Sequence, residues 1–206
     1  MKKALLLGPH PDDAFIGCSG FVIKNGSKFD IDVCCFATKN INPSEDTRKQ
    51  EEISSWQTIN KRVKVSFFDG EDTKLYKNQN EIIDHIESLV SQVNYDYIFT
   101  PYPEDAHQDH RTISEATLSA CRYQKKILFY ETPSTIRFHP NLFVELGRSQ
   151  AKQKMEISRM YESQILGSSQ YQISLEEYIE SKLLSNGATS RVCKHAEGFV
   201  VYKAVI

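Results

Sequence analysis

Two short polar clusters hold most of the side chains able to do chemistry: His10-Pro11-Asp12-Asp13 and, far along the chain, His107-Gln108-Asp109-His110. Two histidines and a carboxylate form the ligand set of a catalytic zinc with an open fourth position, and they also suit non-haem iron. One carboxylate would be left over. A carboxylate beside a metal-bound water suits hydrolysis, because the ion lowers the pKa of the water and the carboxylate takes its proton. The spare histidine can be the acid. Taken singly these motifs have bland readings: His-Pro as a turn, paired aspartates as a helix cap, His-x-x-His as a solvated helix start. Two compatible clusters in one chain, each at a favoured position, point to chemistry instead.

The positions follow from the elements around them. Residues 3–8 are a short apolar run ending at Gly-Pro, a buried strand that delivers the first cluster. Residues 15–24 then carry Phe15, Cys18 and Val22 at helical spacing until Asn25-Gly26 stops them. Residues 31–37 read as a second buried strand, and Pro43-Ser44-Glu45-Asp46 as a helix start with acids in its first turn, followed by an apolar stripe of Ile53, Trp56 and Ile59. Strand 63–68, helix 82–93 and strand 95–100 come next, the last delivering the second cluster. Helix 109–122 and strand 127–130 follow. Beyond Pro133 the pattern loosens, with a strand at 142–145, helices at 148–165 and 174–185, and a closing strand at 197–205. Such alternation gives an α/β fold with a mostly parallel sheet flanked by helices, and ligands in open sheets of this kind bind beyond the strands' carboxyl ends.

Composition narrows the field. The 206 residues are 40% hydrophobic, 11% aromatic and 25% charged, as in a globular chain, and the length fits one domain. A net charge of −2 with no basic block argues against nucleic acid as a partner. Five cysteines, Cys18, Cys34, Cys35, Cys121 and Cys193, have no CxxC spacing and point to a reducing compartment rather than a disulfide framework. The apolar run after Met1-Lys2-Lys3 stops too soon for a secretory signal, and no stretch reaches the roughly 20 apolar residues of a membrane span, so a cytoplasmic location is expected. The residues specify no oligomeric state.

The sequence resembles the LmbE-like or PIG-L-like metal-dependent N-deacetylases of N-acetylglucosaminyl compounds. The resemblance rests on Pro9-His10-Pro11-Asp12-Asp13 with Gly17-Cys18-Ser19-Gly20, and on Asp105-Ala106-His107-Gln108-Asp109-His110. Weaker echoes are Arg48 with Glu51-Glu52, Asp69-Gly70, residues 140–144 and Ala196-Glu197-Gly198-Phe199. It implies a single Rossmann-like domain over residues 1–206, with a core and metal site in 1–133 and closing helices and strands in 134–206. It further implies that His10, Asp13 and His110 hold Zn2+, with Fe2+ or another divalent ion as alternatives, and that Asp12 is the general base. His107 would stabilise the oxyanion or protonate the leaving amine, and Asp109 would orient His107. Arg48 and Asp69 would lie near the sugar. Tyr102 joins them as a candidate substrate contact because its loop carries the second cluster. The implied reaction turns an N-acetylated sugar or glycoconjugate into acetate and a free amine. Ala14 and Ser19 depart from the pattern of many members but replace no ligand or base.

Three rivals stand beside that expectation. A Rossmann-type nucleotide module would use Gly8 to Gly20 as a phosphate loop, but these glycines do not spell GxGxxG, and Asp12 and Asp13 would repel a pyrophosphate. A catalytically silent metal-binding protein conflicts with the presence of both Asp12 and His107. A metal-dependent hydrolase of another amide or a phosphoester keeps the same site. The remaining histidines, His85, His139 and His195, are read as packing or solvent-facing residues.

Overall fold

A computed structural model describes residues 1–42, 44–167 and 173–205, and among residues 165–167 only the backbone. Pro43, the first residue of the expected helix start, lies outside the described residues. Ser44 takes over the start by accepting a hydrogen bond from the Thr47 N–H.

The apolar run Ala4–Leu7 makes β1 (Lys2–Gly8), fully buried because it lies mid-sheet. In chain order there follow α1 (Asp13–Asn25), β2 (Phe29–Lys39), α2 (Glu45–Ile59), β3 (Lys64–Glu71), a 3₁₀ turn (Leu75–Asn78) and α3 (Gln79–Gln92). Then come β4 (Tyr97–Pro101), α4 (Gln108–Ala120), β5 (Lys126–Tyr130), β6 (Leu142–Leu146), α5 (Arg148–Ser158), α6 (Glu162–Gly167), α7 (Leu175–Ser190) and β7 (His195–Ala204). The strands form one seven-stranded sheet in the order β3-β2-β1-β4-β5-β7-β6. The first five are parallel, whereas β7 runs antiparallel to both β5 and β6.

Alternation along the strands builds two cores. Ala4 and Leu6 face one with Phe15, Trp56, Phe99, Tyr161 and Phe199; Leu5 and Leu7 face the other with Ile82, Ile86 and Ile113. Thus α1, α2, α5 and α7 cover one side of the sheet, and α3 and α4 the other.

Two expectations need correction. The helix expected over 148–165 is two helices, broken at residues 159–161, where Tyr161 turns into the core. The inner face of α2 is not the apolar stripe: Trp56 is buried, but Ile53 and Ile59 are half-buried, and its other buried residues are Arg48, Glu52 and Ser55. Gly17 and Gly20 form no phosphate loop. They let α1 lie close to the sheet, since a Cβ on Gly17 would overlap the Tyr130 ring and one on Gly20 would come within 2.7 Å of Glu197.

The sheet order reverses direction between β1 and β4, so the connections leaving their carboxyl ends diverge and open a crevice there. Both polar clusters lie at that crevice.

Candidate active site

The loop between β1 and α1 carries His10, Pro11 and Asp12, and Asp13 opens the helix. Its start is tied to β2 by the Ala37 N–H, which donates to the Pro9 carbonyl at 2.7 Å. Asp13 Oδ2 accepts from the His10 backbone N–H at 2.9 Å and lies 3.1 Å from His10 Nδ1 and 3.2 Å from His110 Nε2. One carboxylate oxygen therefore joins the clusters, and the rings of His10 and His110 stand 5.5 Å apart.

His110 lies in the first turn of α4. Its Nδ1 faces Asp105 Oδ2 and Thr132 Oγ1, both at 3.1 Å, which directs Nε2 toward Asp13. Asp105 also accepts from Ser134, Thr135 and the His107 N–H. Burial alone would push this carboxyl up; bonds and charge from His110, the Ser134 bond and the His107 N–H outweigh it and lower the pKa to about 2. Burial likewise opposes charging of the two imidazoles, yet carboxylates win at both. Asp13 and Asp105 raise His110 to about 9, and Asp109, Asp13 and Asp72 raise His10 well above its ordinary value. The pocket concentrates negative charge and favours a cation.

Two of the separations among His10, Asp13 and His110 suit a small divalent ion, while the donor sets that lie mutually within 4.8 Å leave Asp13 out. Tetrahedral ligands about 2.0–2.1 Å from a zinc stand roughly 3.3 Å from one another. The separations of 3.1 and 3.2 Å about Asp13 match that spacing. Both imidazoles also carry a carboxylate on the far nitrogen, the second-layer arrangement that fixes ligating histidines. Ring nitrogens of His10, His107 and His110 fall within 4.8 Å of one another, as do donor atoms of His10, Asp72, His107 and Asp109.

His107 caps α4: its Nδ1 accepts the Asp109 backbone N–H at 3.2 Å, leaving Nε2 as the proton-bearing nitrogen of the neutral ring. Burial, then His10 and His110, lower its pKa, so the neutral form is favoured. Its ring lies 4.8 Å from that of His10 and 4.9 Å from that of His110.

Asp12 adopts φ 116° and ψ −34°. Burial raises its carboxyl to about 7, a rise that Arg48 opposes and Asp13 reinforces.

Several expected roles are placed differently. The Asp109 carboxylate does not hydrogen-bond His107 among the described residues. It accepts from the Thr73 and Leu75 N–H groups and lies 3.3 Å from His10 Nε2, so its side chain positions His10. Arg48 is 5% exposed and turned inward, with Nη2 2.5 Å from the Pro11 carbonyl and 3.5 Å from Asp12 Oδ2. Asp69 is 62% exposed and paired with Lys39 and Lys49. The acid from that region that reaches the histidines is Asp72, 2.9 Å from His10 Nε2. Tyr102 is half-buried, edge-on to Phe129 and Phe138. His85 packs on Phe36 and Phe68.

Sequence reasoning missed Asp72, Glu52 and the Thr132-Ser134-Thr135 group. Asp72 lies three residues past Asp69, and Glu52 stands in the sequence only as part of a motif echo. The hydroxyls lie in a loop without periodicity.

Residues 5–121 match the family model described as PIG-L, GlcNAc-PI de-N-acetylase. An Escherichia coli (strain K12) protein, "Uncharacterized deacetylase YaiS", is 30% identical over 149 residues, which are 69% of this chain and 80% of that protein. Among solved structures, N,N'-diacetylchitobiose deacetylase from Pyrococcus horikoshii superposes with a TM-score of 0.78 at 21% identity, covering 97% of this chain and 83% of that one. GalB, the 4-carboxy-2-hydroxymuconate hydratase from Pseudomonas putida KT2440, has the same TM-score of 0.78 at 16% identity, covering 100% and 98%. The fold is thus shared by proteins of different reaction class, and the reaction must be argued from the site.

Proposed function

We propose, because this chain belongs to the PIG-L family of de-N-acetylases, that it hydrolyses the acetamide of an N-acetylated amino sugar or glycoconjugate, with a zinc-class divalent ion held by His10, Asp13 and His110. The reading rests above all on the single Asp13 oxygen within reach of both His10 Nδ1 and His110 Nε2, with Asp12 next to it in the chain. An ion held there would polarise the amide carbonyl and make a neighbouring water more acidic.

The protein's own groups supply the rest. Asp12, raised to about 7, is a base that can both take and return a proton near neutral pH. It removes a proton from the attacking water as oxygen bonds to the acetyl carbon. The neutral His107 ring presents an N–H to the oxygen that gains charge, the task of an oxyanion donor. Asp12 then passes its proton to the departing nitrogen as the C–N bond breaks, giving acetate and a primary amine. Arg48 steadies Asp12, and Asp72 and Asp109 steady His10. The Asp69 and Tyr102 side chains have surface and packing partners, so the sugar contacts are assigned to the crevice around Asp72 and His107 instead. Residues 1–206 act as one unit in this reading, residues 134–206 closing the sheet beside the core.

The test is release of acetate and primary amine from a panel of N-acetylated sugars by zinc-loaded protein. Asp12→Ala should keep its metal and lose about 10²–10⁴-fold in kcat, whereas His110→Ala should lose the metal. Wild-type turnover in Asp12→Ala, or one tightly held zinc per chain in His110→Ala, would overturn the assignment.

A further inference from the structure

The backbone of Asp12 is strained, and a second side chain of α2 keeps it so. Among the described residues the other non-glycine positions with positive φ, Asn40, Thr73, Arg137 and Arg191, lie between 54° and 62°, near the left-handed well. Asp12, at 116°, lies outside that well. Such a conformation persists only where the surroundings over-determine it. Rotation of the Pro11–Asp12 peptide plane would relieve the strain, since φ of Asp12 is rotation about its N–Cα bond. Both polar ends of that plane are held from α2. Arg48 Nη2 donates to the Pro11 carbonyl at 2.5 Å, and the Asp12 N–H donates to Glu52 Oε2 at 3.0 Å. Arg48 and Glu52 are four residues apart and therefore neighbours on one helix face.

Glu52 is itself held. It is fully buried; Oε1 accepts from Trp56 Nε1 at 2.7 Å and from Cys35 Sγ at 3.5 Å, and Oε2 also accepts from the Tyr161 hydroxyl at 2.6 Å. Donors converge on both oxygens, so the carboxylate cannot swing away from Asp12.

We infer that Glu52 is a positioning residue, which locks the Pro11–Asp12 peptide and so fixes the strained backbone that aims the Asp12 carboxylate. This rests on Asp12 being the general base, and it concerns no titration. A glutamine cannot serve both sides. Its NH2 would face either the Asp12 N–H or the Trp56 Nε1–H, donor against donor, whereas the Tyr161 hydroxyl can turn to accept.

The experiment compares zinc-loaded Glu52→Gln, Glu52→Asp and Tyr161→Phe with wild type, and measures Asp12 amide hydrogen exchange in the metal-free proteins. Glu52→Gln and Glu52→Asp should keep one metal per chain and a near wild-type KM, with kcat reduced about 10²-fold, the scale of a small misplacement of a reacting group. Tyr161→Phe, which removes a different donor but leaves the Glu52 bond to the Asp12 N–H in place, should lower kcat by no more than about tenfold, the scale of one hydrogen bond, and by less than either Glu52 variant. The Asp12 amide should be protected in wild type and Tyr161→Phe and exposed in both Glu52 variants. Wild-type kcat in a Glu52 variant, or an unprotected Asp12 amide in wild type, would overturn the inference. Should a Glu52 variant fail to fold, the wild-type amide still decides. Should the wild type release acetate from no sugar, the functional reading fails while the exchange data still report on the clamp.

Discussion

Asp12 pays a conformational and an electrostatic cost to stand where it does, and the second is measurable. A carboxyl raised from 3.8 to about 7 on folding binds its proton more tightly in the native state. The native state therefore loses stability as pH rises through that interval, and the loss is complete above it. Asparagine cannot ionise. Metal-free Asp12→Asn should melt close to wild type near pH 4 and above it at pH 8, the gap opening in between; Tm in the presence of a chelator, followed across that range, checks this. A gap that is the same at every pH would show that Asp12 is not a buried charge. At this scale the two polar clusters were legible as one site, and the set that the resemblance implied, His10, Asp13 and His110, is joined through one Asp13 oxygen. The sequence was not legible where an identical side chain three residues away competes. Nothing in the chain distinguishes Asp69 from Asp72, and only the turn after β3 decides which of them meets His10.

Helices α1 and α2 bring these residues to the site by opposite means. For α1 it is the absence of side chains: Gly17 sits against the Tyr130 ring, whose hydroxyl donates to the Leu7 carbonyl at 2.7 Å, so helix, β5 and β1 are fixed together just below His10. Gly17→Ala must move the Tyr130 ring or lift the helix, an overpacking that costs about 1–3 kcal/mol. For a chain of this size that lowers Tm by roughly 2–12 °C; thermal melting checks it, and an unchanged Tm would mean the contact is loose. In α2 the inward face is polar because it serves Asp12, which is why an apolar stripe misdescribes it. Element type and order were readable from period and punctuation. The division between α5 and α6 was not, because the polar residues around Tyr161 hide the turn that buries it.

Across the whole molecule the cysteines report on packing. Cys18, Cys34, Cys35 and Cys121 are buried and Cys193 is half-buried, all as free thiols. Burial pushes Cys34 and Cys121 up to about 12, so at pH 8 only roughly one part in ten thousand of either is thiolate. Cys18 and Cys35 are raised as well. Native protein should react rapidly with an aromatic disulfide reagent at Cys193 alone, and at five thiols after denaturation; fast labelling of a second thiol in the native state would contradict the packing. The parallel half of the sheet was legible because buried parallel strands are continuous apolar runs. The antiparallel half was less so, since β6 and β7 are only partly covered and their pairing is set at long range. That pairing constrains assembly. Among the described residues β6 pairs in the sheet with β7 alone, and β7 lies between it and β5. A nascent chain emerging from the ribosome can therefore pair its parallel strands before β7 has been made, whereas β6 stays unpaired until β7 arrives, an interval in which exposed strand edges invite aggregation.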